Sequence, residues 1–379
     1  MKAGNRKMKN IGIIRFNEGD MGGIEYQIIN IVSNLDSTFF KFILITNKST
    51  KFSKKFEKYG EVCYINKEHL LKSVRELKKF VKEKNISIIQ SHMLREHYIG
   101  CLTKLKIKDL YHIFRVHTYI NCSFISNLKK RLYHLLTFLL QKNVDVYLPI
   151  NKKNYEELVN ISKIKSNKVK IVHDGVKKIG NLKNEEFNYE ELIMIANFNY
   201  GKGHDIALRA LRILVNKSPE YSITFVGENN KTEENKLILR ETQELARELK
   251  IEKNVKFIGF VEDIEGVLKG KSIIILPSYN EGTPNCLLEA MSSKKIVIAS
   301  CVGGIPEFIE DGRNGFLHEN KDYETLAKKI LKLKEISCPN LKNIKEEGYK
   351  TWEKGYSVSK LCQELKSIYE KKGKNEIYE

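Results

Sequence analysis

SIIILPSYNEGTPNCLLEAM, residues 272–291, holds a strand, a turn and a helix in close succession. Ile273, Ile274 and Ile275 are β-branched and unbroken by polar residues, the pattern of a strand buried on both faces. Gly282 and Pro284 shape a turn. Leu287, Leu288 and Met291 then recur at helical spacing. Strand, glycine turn and helix in that order make the repeating unit of a parallel sheet covered by helices.

The same rhythm extends in both directions. Short Ile- and Val-rich runs at 11–16, 41–46, 61–65, 87–91, 111–117, 144–150 and 169–173 predict strands in the first half. In the second half the predicted strands are 191–196, 222–227, 255–260, 272–277 and 296–300. The alternation stops at VKKIGNLKNEEFNYE, residues 176–190, which is charged and aperiodic. The expected architecture is therefore α/β, with two doubly wound domains of Rossmann type and a cleft between them. Their expected limits are 1–176 and 191–340, joined by a linker at 177–190. A helical tail at 341–379 carries Trp352, Tyr356, Leu361, Leu365 and Tyr369.

Composition agrees with this reading. The 379 residues are 41% hydrophobic and 9% aromatic, enough to fill two interiors and too apolar for intrinsic disorder. No apolar run approaches the roughly 18–20 residues that cross a bilayer. The charged N-terminus lacks the apolar segment of a secretory signal. Seven scattered cysteines, none spaced C-x-x-C, suit reduced thiols and a cytoplasmic location rather than a disulfide framework. Residues 1–180 carry 35 Lys and Arg against 15 Asp and Glu, whereas 181–379 carry 31 against 32. All of the net +19 charge thus belongs to the first half, which predicts an anionic partner there or reflects a lysine-rich composition.

In doubly wound sheets, ligands sit beyond the carboxyl ends of the strands. Three strand-to-helix loops carry suitable residues. The first, 17–25, contains the adjacent Gly22 and Gly23, whose small size lets a phosphate or sugar approach the backbone. It is not the G-x-G-x-x-G dinucleotide fingerprint. The second, 196–205, places Lys202 between Gly201 and Gly203, within reach of a diphosphate, although no Walker motif is present. The third belongs to the opening segment. Backbone N–H groups from Thr283 to Cys286 are expected to face an anion, with Glu281 before the helix and Glu289 about 12 Å further along it. Two carboxylates of a glycosidase stand about 5–9.5 Å apart. The longer spacing suits an extended ligand with hydroxyls at both ends and phosphates between, the shape of a nucleoside-diphosphate sugar.

These motifs together resemble the retaining glycosyltransferases of family 4, which have the GT-B fold. Glu281 and Glu289 match the family's E-x7-E motif. VGGIPE at 302–307 and DGRNGFL at 311–317 resemble its next landmarks. Gly22-Gly23-Ile24-Glu25, the lysine of Gly201-Lys202-Gly203, and Asp174-Gly175-Val176 also match. The resemblance implies that Gly22, Gly23, Asn197, Lys202, Phe260 and Val261 line the donor side. It adds Glu281, Gly282, Thr283, Pro284, Asn285, Cys286 and Glu289 from the third loop. His92, His97 and His117 are implied on the acceptor side, with Glu281, His117 and Lys202 catalytic. Asn197 stands where many relatives have an arginine on the diphosphate, so the phosphate clamp has one positive charge fewer.

The resemblance further implies transfer of a sugar from a nucleotide-sugar, commonly a UDP-sugar, to a glycan or lipid-linked glycan of a bacterial-type surface polysaccharide or glycolipid. It implies retention by front-face attack, and a tail that crosses back onto the first domain. No D-x-D occurs in the chain, so no metal ligand set and no cofactor is expected. Two other functions stay open on the same fold: a nucleotide-sugar epimerase or hydrolase, and a non-catalytic sugar-nucleotide binder. Nucleic acid is not an expected partner, because the basic half lacks interleaved aromatics, a zinc pattern and a recognition helix. An anionic membrane surface is. The segment FISNLKKRLYHLLTFLL, residues 124–140, sets a basic cluster beside an apolar helical run, as in helices that lie in a membrane interface. The same run would also suit packing on a sheet.

Overall fold

A computed structural model describes residues 8–17, 21–117, 126–180, 187–227 and 232–371 of the chain. They form two compact units, one of residues 1–175 with 358–379 and the other of 176–357. Part of the expected linker, and Phe124 and Ile125 of the apolar segment, lie outside the described residues.

The first unit is a six-stranded parallel sheet. Its strands are β1 (Lys9–Ile14), β2 (Phe40–Thr46), β3 (Gly60–Tyr64), β4 (Ile86–Ser91), β5 (Tyr111–Val116) and β6 (Val146–Pro149), in the order β3-β2-β1-β4-β5-β6. Side chains alternate across it as strand geometry requires. Ile11 and Ile13 pack in one buried layer with Phe42 and Leu44. Ile14 packs in the opposite layer with Ile43, Ile45 and Ile89. The helix Val358–Glu370 covers the first of these faces with Val358, Leu361, Leu365, Ile368 and Tyr369. Burying each such aliphatic side chain is worth roughly 1.5–3 kcal/mol, enough to hold this helix to the sheet.

The second unit repeats the plan. Strands β7 (Glu191–Ile195), β8 (Ser222–Val226), β9 (Val255–Ile258), β10 (Ile273–Leu276), β11 (Ile296–Ser300) and β12 (Phe316–His318) run in the order β12-β11-β10-β7-β8-β9. Counted within each unit, the two orders are identical. The reversal of strand order falls between β1 and β4 in one sheet and between β7 and β10 in the other, where such folds place ligands.

Three expectations need correction. Residues 169–173 do not form a strand. Lys170 and Val172 donate N–H groups to Tyr147 and Pro149 of β6, but Pro149 has no N–H to return, so the ladder stops at an isolated bridge. The expected tail divides: the helix Cys338–Thr351 and the turn Trp352–Tyr356 pack within the second unit, and of the tail's described residues only 358–371 join the first. Trp352 and Tyr356 anchor this arrangement, donating from Nε1 to the Val176 carbonyl at 3.2 Å and accepting the Val176 N–H at 2.9 Å. The second unit accordingly begins at Val176 rather than 191. No helix among the described residues is long and apolar enough to cross a membrane.

Candidate active site

In the second unit, the loops after β7 and β10 are fastened to each other. The Tyr279 N–H donates to the Gly201 carbonyl at 2.8 Å, and the Tyr279 hydroxyl donates to Asp205 at 2.6 Å. Gly203 has φ +77°, and a Cβ there would fall 2.0 Å from the Pro277 carbonyl oxygen. Only glycine satisfies both the left-handed backbone and that approach. The result brings Lys202 to Glu281: Nζ lies 2.7 Å from Oε1, and the Ser278 hydroxyl donates to the same oxygen at 2.8 Å. Burial alone would lower the Lys202 pKa, but the adjacent Glu281 carboxylate outweighs it and holds the ammonium above its ordinary value. The Lys202 side chain is still 30% exposed, which leaves room for a second anion beside it.

The loop after β11 supports Glu281 from behind. Gly303 has φ +58° and lies so close to the Glu281 carbonyl that a Cβ would meet it at 1.7 Å, while the Gly304 N–H donates to that carbonyl at 3.3 Å. Beyond Glu281 the helix Asn285–Ser292 begins at Pro284 with no side-chain cap and no acidic residue in its first turn. Its first N–H groups have no acceptor inside the helix and carry its partial positive charge. Pro284 itself has no N–H, so the expected row of amides from Thr283 to Cys286 is interrupted there.

Glu289 stands inside this helix. Burial pushes its carboxyl up to about 7, and among the described residues no hydrogen-bond or ion-pair partner offsets that burial. A carboxyl without donors is costly to bury unless a ligand supplies them. Burial likewise raises the Cys286 thiol to about 12, so it is no nucleophile at neutral pH. Asn197 and Gly282 lie in the same two loops, after β7 and after β10. Past β9, Val261 is half-buried, and Phe260, 48% exposed, offers an aromatic face. His204 shows no sequence signal, yet it stacks on Phe198 at 4.4 Å directly after the lysine loop.

The first unit's loops are built differently. The Gly22 N–H donates to Glu25 Oε2 at 3.0 Å, and Arg15 Nε donates to Glu25 Oε1 at 2.7 Å. Both carboxylate oxygens of Glu25 are therefore engaged, and so is the Gly22 amide. Above Gly23 there is open space. Glu18, Gly19 and Asp20 of this loop lie outside the described residues. His92 and His117 meet at the ends of β4 and β5, with Nδ1 of His92 2.9 Å from Nε2 of His117 and the ring planes within 16° of each other. They border a small pocket of about 20 Å3, room for one water, with Met93, Leu94 and Glu157. His97, expected on the acceptor side, is a core residue instead: it is wholly buried and stacks on Phe114 at 4.1 Å. It sits on the inner face of the helix Leu94–Lys104, four residues before the buried Cys101.

Comparison with known proteins follows the same division. Residues 178–351 match the model of the family described as glycosyl transferases group 1. Over 371 residues the chain is 26% identical to an uncharacterized glycosyltransferase of Haemophilus influenzae, covering 95% of this chain and all of that one. It is 24% identical to the capsular polysaccharide biosynthesis glycosyltransferase CapH of Staphylococcus aureus, over 93% of this chain and 97% of CapH. The structure of Anabaena HepE in complex with UDP superposes with a TM-score of 0.82 at 17% identity, over 96% of this chain and all of that one. The fold is GT-B, and these likenesses support a glycosyltransferase whose relatives include enzymes of polysaccharide synthesis.

Proposed function

We propose that the protein is a retaining, metal-independent glycosyltransferase that takes a sugar from a UDP-sugar and passes it to a glycan or lipid-linked glycan of a surface polysaccharide or glycolipid. The observation that carries this reading is the row formed by Lys202, Glu281, the helix start after Pro284 without a side-chain cap, and Glu289, which shows no partner among the described residues. It offers a cation and N–H donors for a diphosphate between two carboxylates that accept from hydroxyls. Glu289 would take the ribose hydroxyls, and Glu281 the hydroxyls of the transferred sugar. Phe260 provides a ring on which a uracil could stack. HepE, the solved neighbour with UDP bound, supports the choice of nucleotide.

In the reaction, the bond from the anomeric carbon to the diphosphate oxygen breaks, and the acceptor oxygen bonds to that carbon on the same face. The acceptor's proton passes to the departing phosphate oxygen. Such a step needs stabilisation of the leaving diphosphate more than a protein nucleophile. Lys202 is already charged and aimed, so donor arrival extends an existing ion pair rather than desolvating a free ammonium. With the positive charge of Asn197's counterpart missing, more of that work falls on Lys202 and the helix amides.

The basic first domain is the proposed acceptor side, docked on an anionic membrane. Leu128, Leu132, Leu135 and Leu139 of the helix Asn127–Leu140 are all exposed, and their i, i+4, i+7, i+11 spacing puts them on one face. Lys129, Lys130 and Arg131 flank them, the arrangement of an interfacial helix. Incubation with UDP-, GDP- and ADP-sugars and a membrane extract tests the whole reading. Transfer from a UDP-sugar with the anomeric configuration kept, undiminished by EDTA, is expected. Sugar rearrangement, net hydrolysis, or binding without turnover would each favour one of the other functions named for this fold.

A further inference from the structure

We infer that the C-terminal helix sets the tautomers of the His92–His117 pair through a one-way chain of hydrogen bonds, and that Tyr369 and Gln90 are positioning residues for His117. The chain begins on the helix Val358–Glu370. Tyr369 is wholly buried, and its hydroxyl donates to Gln90 Oε1 at 2.8 Å. That contact fixes which way the Gln90 amide points, so its NH2 faces His92 Nε2 at 3.0 Å. An amide nitrogen only donates, and the imidazole nitrogen opposite it must accept. The proton of neutral His92 is then on Nδ1, where it is donated to His117 Nε2 at 2.9 Å. The proton of His117 is left on Nδ1, facing Asp174 Oδ2 at 3.6 Å. Arg115 closes the chain by donating to the other Asp174 oxygen at 2.6 Å.

The opposite sense fails at both ends. It would turn an unprotonated His117 Nδ1 toward the Asp174 carboxylate, lone pair against anion. It would also leave the Tyr369 hydroxyl accepting from Gln90, with its own proton needing another acceptor in a fully buried site. Asp174 is held ionised: burial opposes its charge, but Arg115 and then His117 outweigh that and keep its pKa well below the carboxylate range. A second proton on either ring is disfavoured first by burial, which lowers the pKa of both histidines; at His117 the Asp174 carboxylate opposes this without overcoming it, and at His92 the neighbouring His117 and then Arg115 and Arg15 add to it. Each link therefore carries one proton with one direction. Nε2 of His117 accepts from His92 and its Nδ1–H faces the Asp174 carboxylate, so His117 is oriented by the chain rather than free to act as a general base. Asp174 also precedes Gly175, which is itself pinned: its N–H donates to Gln27 at 3.1 Å and its carbonyl accepts from Asn30 at 3.2 Å.

What the oriented pair does for a bound sugar rests on the proposed transferase reading; the tautomers do not. Long-range 1H–15N spectra of the full chain labelled with 15N-histidine read the tautomers directly, with signals assigned by loss in His92→Asn and His117→Asn. Nδ1–H forms at both positions are expected. An Nε2–H form at either, or a cationic ring at pH 7, would overturn the inference. Tyr369→Phe removes one hydroxyl and keeps the ring that packs on Phe40 and Phe42. It should shift or mix the His92 and His117 signals. For transfer, it should lower kcat by up to about 100-fold, as a small misplacement can, with the donor KM unchanged. Unchanged histidine signals in a folded Tyr369→Phe protein would also overturn the inference. Should that variant not fold, the spectra of the native chain still decide. Should no nucleotide-sugar be turned over, the spectra stand while the transferase reading falls.

Discussion

The two units share one strand order and use it in opposite ways. At the first unit's switch point the charged groups pair with one another, Arg15 with Glu25 and Arg115 with Asp174, and His92 meets His117, although Arg115 Nε and Nη1 find no acceptor among the described residues. At the second unit's switch point valences stay open among the described residues: Glu289 shows no donor, the Lys202 side chain is part-exposed, and a helix begins without a side-chain cap. The topology is indifferent to this choice, which side chains alone decide. Charges paired with one another hold a shape, while a half-buried carboxyl and a helix start without a side-chain cap hold a place for a ligand. Charge divides along the same line, with the excess of Lys and Arg confined to the first half.

Breaking the paired side should cost stability. Asp174→Asn leaves Arg115, wholly buried, without its countercharge, and should destabilise the fold by about 3–5 kcal/mol. Denaturant unfolding measures it; a loss below about 1 kcal/mol would mean that the network is not the rigid element described. The pH dependence has a definite sign. The Asp174 pKa is depressed in the fold, so its contribution is present above the unfolded value and is lost as pH falls through the folded one.

Breaking the open side should cost turnover instead. Glu281→Ala removes a group proposed to hold the transferred sugar and should lower kcat by about 100-fold, with a smaller loss of stability than Asp174→Asn, because the Lys202 left unpaired is 30% exposed whereas Arg115 is wholly buried. Equal losses of stability in Glu281→Ala and Asp174→Asn would erase the contrast between the two units.

The sharpest comparison comes from Glu289, whose pKa shifts the other way. A carboxyl raised to about 7 contributes stability below its unfolded value near 4.5, and that contribution is lost as pH rises through 7. Glu289→Gln should therefore gain stability relative to the native protein between pH 5 and pH 8, where Asp174→Asn shows no such trend. Melting curves of the two variants across that range check it. A Glu289→Gln curve parallel to the native one would show that a partner already satisfies the carboxylate.

Much of this was legible in the sequence, for stateable reasons. Buried parallel strands are continuous runs of Ile and Val, so β1, β2, β4, β7, β10 and β11 were located to within two residues. β12 has only three residues between a turn and a polar helix start, too short for any period to register. Segment 169–173 has strand composition but faces a proline, which composition does not reveal. Lys202 and Glu281 were each recognisable from their loops. Their contact joins residues 79 apart and depends on Gly203 fitting under Pro277. His97 and His117 look alike in sequence, and only the helix that carries His97 inward separates them. The link from Tyr369 to Gln90 spans 279 residues and has no local signature at all.

The central claim is that the second unit's open valences hold a uridine diphosphate. Calorimetric titration of UDP in EDTA into the native protein and into Lys202→Ala tests it most directly. Binding by the native protein, weakened in Lys202→Ala by about 10- to 100-fold, the value of a charged hydrogen bond of roughly 1.5–3 kcal/mol, is the predicted result. Equal affinity in the two proteins, or binding that appears only when Mg2+ or Mn2+ is restored, would contradict it.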